Sequence, residues 1–305
     1  MDILTIAGLG KTFGSQRVLN DLSFSVPEGS IYGFIGKNGS GKTTTMKIIL
    51  GLLQADSGEI SVCGQKVRYG DTRTNRFIGY LPDVPEFYSF MTAKEYLRFC
   101  GEITGMPTAL IRTNIDELLD LVGLADVKKR IGTFSRGMKQ RLGIAQALLN
   151  EPRLLICDEP TSALDPIGRR EILDILLKVK ERTTVLFSTH VLTDVEAICD
   201  RVGILDRGKI VLTGSVSELK NTHSRHSCTV TCRTPADAVA FRKDPRMSVL
   251  NTVLHAKDLS VTLHADEPEQ AMALIIRILG ETGLVPLRLE TAEPKLEDIF
   301  LEVVR

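Results

Sequence analysis

The run GKNGSGKT, residues 36–43, limits what this chain can fold into more than any other segment. It fits the pattern G-x-x-x-x-G-K-[ST]. It also lies between a strand-like segment (30–35) and a helix-like segment (44–53), the setting in which that pattern binds phosphate. Gly36, Gly39 and Gly41 let the backbone curl, so the amides of Gly36, Lys37, Asn38, Gly39, Ser40, Gly41 and the following Thr44 face an anion. Lys42 is placed to reach the β and γ oxygens of a nucleotide, and the Thr43 hydroxyl to ligate Mg²⁺.

The rest of the chain alternates in the way such a loop requires. Apolar runs at 3–35 read as strands, GEISVCGQKV (58–67) as two short strands about Gly64, and RFIGYLP as a strand ending at Pro82. From about 90 to 150 the period turns helical. Thr92 and Glu95 form a capping box, a helix begins near Pro107, and Ser135 caps a helix running to about Leu149. RLLICDEP and TTVLFSTH are strands separated by a helix from Pro166 to about Arg182, and RVGILDRGKIVLTG is two strands joined at Asp206-Arg207-Gly208. Strand–helix alternation predicts an α/β fold with a mostly parallel sheet.

A polar stretch, NTHSRHS (221–227), reads as a linker. Beyond it the pattern is strand (228–233), helix (236–243), strands (247–255 and 259–264), helix (268–282), strand (285–290) and a last helix (295–304). This βαββαβ order predicts a small ferredoxin-like domain.

At 305 residues the chain is long enough for about two domains. Its 38 basic and 38 acidic residues cancel, so no nucleic-acid partner is expected. No apolar run approaches the roughly 20 residues that span a bilayer. The segment after Met1 lacks the features of a signal peptide, and a cytoplasmic location is expected. The six cysteines are scattered and read as small apolar residues, although Cys228 and Cys232 fit one strand face.

Two carboxylates complement the loop. In LLICDE (154–159) an apolar strand ends in Asp158, a candidate Mg²⁺ ligand, and Glu159, a candidate base for an attacking water. His190 ends the next strand and is a candidate contact to the γ-phosphate. Phe13 either stacks on adenine, worth about 1–3 kcal/mol by analogy with other base-stacking sites, or is buried in the core.

The order of these motifs resembles the ATP-binding subunit of ABC transporters. The likeness covers residues 1 to about 220: Phe13 at the A-loop, GKNGSGKTT as Walker A, GYLPD at the Q-loop, FSRGMKQRL as the signature, LLICDE as Walker B, SALD as the D-loop and STH as the H-loop. It implies a P-loop NTPase of ABC type with a mixed sheet, an antiparallel β subdomain and a helical subdomain at about 88–150. Residues 228–305 are then an accessory α+β domain.

The resemblance also implies ATP and Mg²⁺ as ligands, and a second copy or a homologous nucleotide-binding subunit packed head to tail. Ser135, Gly137 and Asp165 of one chain would then meet ATP held by the other. Two positions depart from the family pattern: Asp83 stands where glutamine is usual in the Q-loop, and Arg136 replaces the first glycine of the signature. Asp83 remains a candidate to reach Mg²⁺ through water.

These variants and the closing KLEDIFLEVV resemble the branch serving ABC-2-type permeases. That implies an ATPase peripheral on the cytoplasmic face and driving a separate permease, an exporter of drugs, antibiotics, ions or lipids. Phe87, Tyr88 and Phe90 are candidate permease contacts or core residues. The alternatives are an ABC-family ATPase of DNA repair or translation, and a module that senses ATP without turnover.

Overall fold

A computed structural model describes residues 1–222, 226–249, 251–255, 259–265, 268–292 and 295–304. Residues 1–216 form one compact unit and residues 217–303 another.

The first unit begins with β1 (Asp2–Phe13), β2 (Gln16–Pro27), β3 (Ile31–Gly36), α1 (Lys42–Ile49), β4 (Ser57–Val62), β5 (Gln65–Lys66) and β6 (Ile78–Leu81). A helical block follows: α2 (Ala93–Ile103), α3 (Thr108–Leu121) and α4 (Arg136–Leu148). The unit is completed by β7 (Leu154–Asp158), α5 (Pro166–Val179), β8 (Thr184–Thr189), α6 (Leu192–Ile198), β9 (Arg201–Asp206) and β10 (Lys209–Ser215).

Two sheets result. The larger runs β10-β9-β3-β8-β7-β6 and is parallel except for the edge strand β10. Its central strands β3, β8 and β7 are buried along their whole length, which is why their sequences are continuous apolar runs. The smaller sheet, β2-β1-β4-β5, is antiparallel. Its inward residues, among them Leu4, Leu22 and Val62, share one core with Phe34, Met46 and Ile156 of the larger sheet and α1. Phe24 anchors that core by stacking on Tyr32 and Phe34 at 5.6 and 5.0 Å between ring centres.

Because β8 lies between β3 and β7, the loops after these three strands emerge side by side at the carboxyl edge of the sheet. Loops at that edge are where α/β sheets bind ligands.

The helical block is capped as the sequence predicts. Glu95 N–H donates to Thr92 Oγ1 at 3.3 Å, and Thr92 N–H donates to Glu95 Oε2 at 2.8 Å. Packing of α4 on β6 is unusually close. A Cβ at Gly79 would collide with the Ala147 carbonyl, and one at Gly143 with Leu81 Cδ1. Buried Gln140 donates its Nε2 to the Asp83 carbonyl at 2.7 Å. The loop after β6 and helix α4 are thereby fixed to one another. Gly79→Ala is expected to destabilise the protein by about 1–3 kcal/mol, the range for overpacking a close contact. It should appear as a lower urea midpoint, and an unchanged midpoint would mean that α4 can shift freely.

Helix α7 (Val216–Thr222) starts at the last residue of the first unit and runs into the second, which also contains β11 (His226–Thr231), α8 (Pro235–Arg242), β12 (Asn251–His255), β13 (Ser260–Ala265), α9 (Pro268–Thr282), β14 (Arg288–Ala292) and α10 (Leu296–Val303). Its sheet runs β12-β13-β11-β14, with every neighbouring pair antiparallel. Counting strands within the unit, the order is 2-3-1-4, the ferredoxin-like arrangement that βαββαβ implies. Cys228, Val230, Phe241, Val261, Leu263 and Ile275 are in its core.

Four details differ from the sequence reading. Residues 221–222 of the expected linker belong to α7 and 226–227 to β11, while 223–225 lie outside the described residues. The expected strand 247–255 is a 3-10 turn (Pro245–Val249) followed by β12, with residue 250 outside the described residues. The last strand starts at Arg288, beyond Pro286, which has no N–H to give a ladder. Helix α6 was not anticipated. All six cysteines are free, and Cys157, Cys199, Cys228 and Cys232 are buried. No helix among the described residues is long and apolar enough to cross a membrane.

Candidate functional site

The phosphate-binding pattern folds as its composition requires. Gly41 caps α1 in the left-handed region at φ 112°, and a Cβ there would lie 2.6 Å from Leu19 Cδ2. Gly39 also has positive φ, 81°. At Gly36 a side chain would meet the Leu205 carbonyl at 2.8 Å. The loop from Gly36 through Lys37, Asn38 and Ser40 to Thr43 thus turns from β3 into α1, with Thr44 in the helix's first turn. The N–H groups of that first turn form the positive end of the helix dipole.

Lys42 is buried. Its Nζ donates to the Gly36 carbonyl at 2.7 Å and lies 3.1 Å from Glu159 Oε1. That carboxylate oxygen makes an ion pair rather than an aligned hydrogen bond. The other oxygen of Glu159 is 2.8 Å from His190 Nδ1. Walker A, the end of β7 and the end of β8 therefore meet at a single carboxylate. Glu159 itself sits at φ 48°, and its N–H donates to the Ser188 carbonyl at 3.0 Å. A non-glycine residue in this region costs about 1–3 kcal/mol and persists where surrounding structure enforces it.

Asp158 is joined to the same loop. It accepts from Thr43 Oγ1 at 2.8 Å and from Ser188 Oγ at 3.1 Å. Burial pushes its carboxyl up from the ordinary carboxylate range; the two hydroxyl donors oppose this, the Glu159 charge adds to it, and Lys42 opposes it. Thr43 and Asp158 offer the hard oxygen donors that suit Mg²⁺. A cation between them would relieve the cost of burying the carboxylate. In the phosphate loop Ser40 Oγ is buried without a hydrogen-bond partner among the described residues. A buried polar atom of that kind points to a ligand or water that satisfies it.

The remaining sequence-predicted residues lie elsewhere in the first unit. Phe13 ends β1 with 48% of its surface exposed and Lys11 Nζ over its ring at 5.4 Å, so the core alternative is excluded. Ser135 caps α4, accepting from Met138 N–H at 3.2 Å, which leaves its own O–H free to donate elsewhere. Among the described residues nothing packs against Gly137 closely enough to require a glycine: a Cβ there would meet only Leu164 Cδ2, at 4.0 Å. Asp165 caps α5, accepting from Gly168 N–H at 2.9 Å. The Asp83 side chain is not hydrogen-bonded to Thr43 or Asp158; its Oδ1 lies 3.4 Å from Arg136 Nη2. Tyr88 and Phe90 are exposed, at 50% and 61%. Phe87 is packed edge-on against Tyr96.

Sequence reasoning missed residues that hold the site. Buried Asp194, on α6, accepts from Thr161 Oγ1 at 2.8 Å, and Arg169 Nε lies 3.8 Å away. This links the stretch after Glu159 to the helix after His190. Nothing in sequence marks it, because the partners are 33 residues apart and each residue type is common on surfaces.

A family model described as ABC transporter matches residues 19–162, and one described as ATP-binding protein DrrA1-3-like, C-terminal domain, matches residues 214–304. The uncharacterized ABC transporter ATP-binding protein YxlF of Bacillus subtilis (strain 168) is 38% identical, with 99% of each chain covered. The bacitracin transport ATP-binding protein BcrA of Bacillus licheniformis is 35% identical, covering 99% of this chain and 97% of that one. The linearmycin resistance ATP-binding protein LnrL of Bacillus subtilis (strain 168) is 32% identical, covering 99% and 98%.

Among solved structures, an ATP-binding subunit of an ABC transporter superposes with a TM-score of 0.65 at 33% identity, over 72% of this chain and 92% of that one. The alternatives in DNA repair, translation or ATP sensing without turnover find no support in these likenesses. The chain belongs to the ABC transporter family as an ATP-binding subunit, a P-loop ATPase whose hydrolysis of ATP drives transport.

Proposed function

We propose that this subunit binds ATP with Mg²⁺, pairs head to tail with a second copy or a homologous subunit, and powers a separate ABC-2-type permease that exports its substrate. The observation that carries the hydrolytic part is the convergence of Lys42 and His190 on Glu159, beside the Thr43–Asp158 pair. Lys42 and the loop amides hold the phosphates. Glu159 takes the proton of the attacking water at its carboxylate, and His190 orients that carboxylate. Phe13, exposed at the end of β1, stacks on the base. Thr43 and Asp158 would hold Mg²⁺, which when bound would neutralise phosphate charge; the Asp83 side chain pairs with Arg136 instead.

The head-to-tail arrangement explains two costs inside the chain. Gly137 lowers helix propensity by about 1 kcal/mol, and no neighbour among the described residues needs the space. Arg136 and Lys139 lie at the positive end of the α4 dipole, with no acidic residue in the first turn. Both features suit a surface that receives a partner's phosphates, where Ser135 donates its hydroxyl and Asp165 lies close by.

The permease reading rests on relatives named for bacitracin transport and linearmycin resistance, which match over nearly the whole chain. It places the subunit at the cytoplasmic face of a membrane, with residues 228–305 as an accessory domain. The test is purification of the tagged chain from detergent-solubilised membranes. A polytopic membrane protein should co-purify in stoichiometric amount and raise the ATPase rate. Recovery with ribosomes or DNA and no membrane protein would exclude this reading.

A further inference from the structure

The two positions at which the sequence departs from the family pattern touch each other. Asp83, in the loop after β6, and Arg136, the first residue of α4, are 53 residues apart, and their side chains meet at 3.4 Å. We propose that they act as one functional pair: Asp83 neutralises and positions Arg136 at the signature, and Arg136 in turn makes a carboxylate at position 83 tolerable beside the phosphates.

The backbone on both sides of the pair is fixed. Gln140 holds the Asp83 carbonyl, and Gly143 lets Leu81 and Pro85 close onto α4. The paired groups themselves are accessible, at 44% and 46% of their side-chain surface. An ion pair so exposed adds little to stability, so stability does not explain it. Electrostatics at the helix terminus does. A guanidinium at the first position of α4 faces the positive end of the dipole, and α4 supplies no acid of its own in that turn. Asp83 supplies that charge from another segment.

The converse also holds. Without Arg136, the Asp83 carboxylate would stand unpaired on a loop that Gln140 ties to α4, the helix whose N-terminus would receive a partner's phosphates, and like charges there repel. The pair also forms part of the wall of a cavity of about 440 Å³, together with Pro85, Phe87, Gly132 and Lys139. A group in that cavity therefore touches the pair, whose Arg136 is next in sequence to the signature serine. Arg136 is a positioning residue in this scheme, acting on the signature through its charge balance with Asp83.

The inference rests on the head-to-tail reading and is tested apart from it. ATP-dependent dimerisation is measured by light scattering in the Glu159→Gln background, at low and high salt. Arg136→Gly is expected to weaken dimerisation about tenfold with Asp83 present and by less than about threefold with Asp83→Gln, the loss shrinking at high salt. Arg136→Gln repeats the comparison without placing a glycine in the helix, and urea midpoints confirm folding.

Equal losses in both backgrounds, or no loss in either, would overturn the proposal. So would loss of dimerisation by Asp83→Gln whatever residue stands at 136, since Asp83 would then act on the nucleotide's metal. The head-to-tail reading is judged separately, by Ser135→Glu in the same background. If that variant still dimerises, the reading fails, and non-additivity at 83 and 136 is scored on the dimer that remains.

Discussion

Glu159→Gln is expected to lose ATP turnover by about 10²–10⁴-fold, roughly 3–5 kcal/mol of barrier, while ATP binding is kept. The amide preserves the shape of the side chain and a contact to His190, but it has no basic oxygen to accept a proton from water. It also removes the negative partner of Lys42, whose Nζ is 3.1 Å from Glu159 Oε1. A lysine released from that pair is freer to meet phosphate, so affinity should stay equal or rise. Phosphate release and equilibrium ATP binding, measured on the same preparation, separate two roles. Near-wild-type turnover would remove Glu159 as the base. Loss of binding together with turnover would show that the carboxylate serves to hold Lys42 and the loop.

What could be read in the sequence was whatever leaves a local periodic or spacing signal. The strand–loop–helix around residues 36–43, the Thr92–Glu95 box and the Ser135 cap are each encoded within a few residues, and each is present in the fold. The βαββαβ order of the second unit was legible for the same reason, and the sheet order β12-β13-β11-β14 agrees with the ferredoxin-like arrangement it implies. Other features depend on tertiary placement.

Phe13 is a single aromatic at a strand end, and no period tells whether it faces core or solvent; the structure leaves it half exposed. Gln140 sits among basic residues of an apparently exposed helix, yet it is wholly buried under the loop after β6. Helix α6 is short and follows His190 without a capping side chain, so nothing announced its start. The Asp83–Arg136 contact joins two residues that each looked like an isolated irregularity. The close approach of α4 to β6 and the loop after it, held near position 83 by Gln140 and permitted by Gly143, brings them together.

Ser135→Glu, made in the Glu159→Gln background so that ATP-bound dimers accumulate, is expected to abolish ATP-dependent dimerisation and leave monomer affinity for ATP nearly unchanged. Ser135 is exposed, and its Oγ already accepts from Met138 N–H, so within its own chain it acts only as a helix cap. Replacing that cap costs about 1 kcal/mol of local stability, which a lower urea midpoint would register without affecting the nucleotide. The chain's own phosphates are held elsewhere, by the loop that carries Lys42 and Thr43. Across a head-to-tail interface, by contrast, the new carboxylate would face the γ-phosphate of the partner's ATP. Unpaired like charges at an interface cost several kcal/mol, enough to remove the dimer at micromolar protein. Light scattering reads the dimer and equilibrium binding reads the monomer. A tenfold or greater loss of monomer affinity, about 1.4 kcal/mol, would place the signature on the chain's own nucleotide and overturn the head-to-tail arrangement.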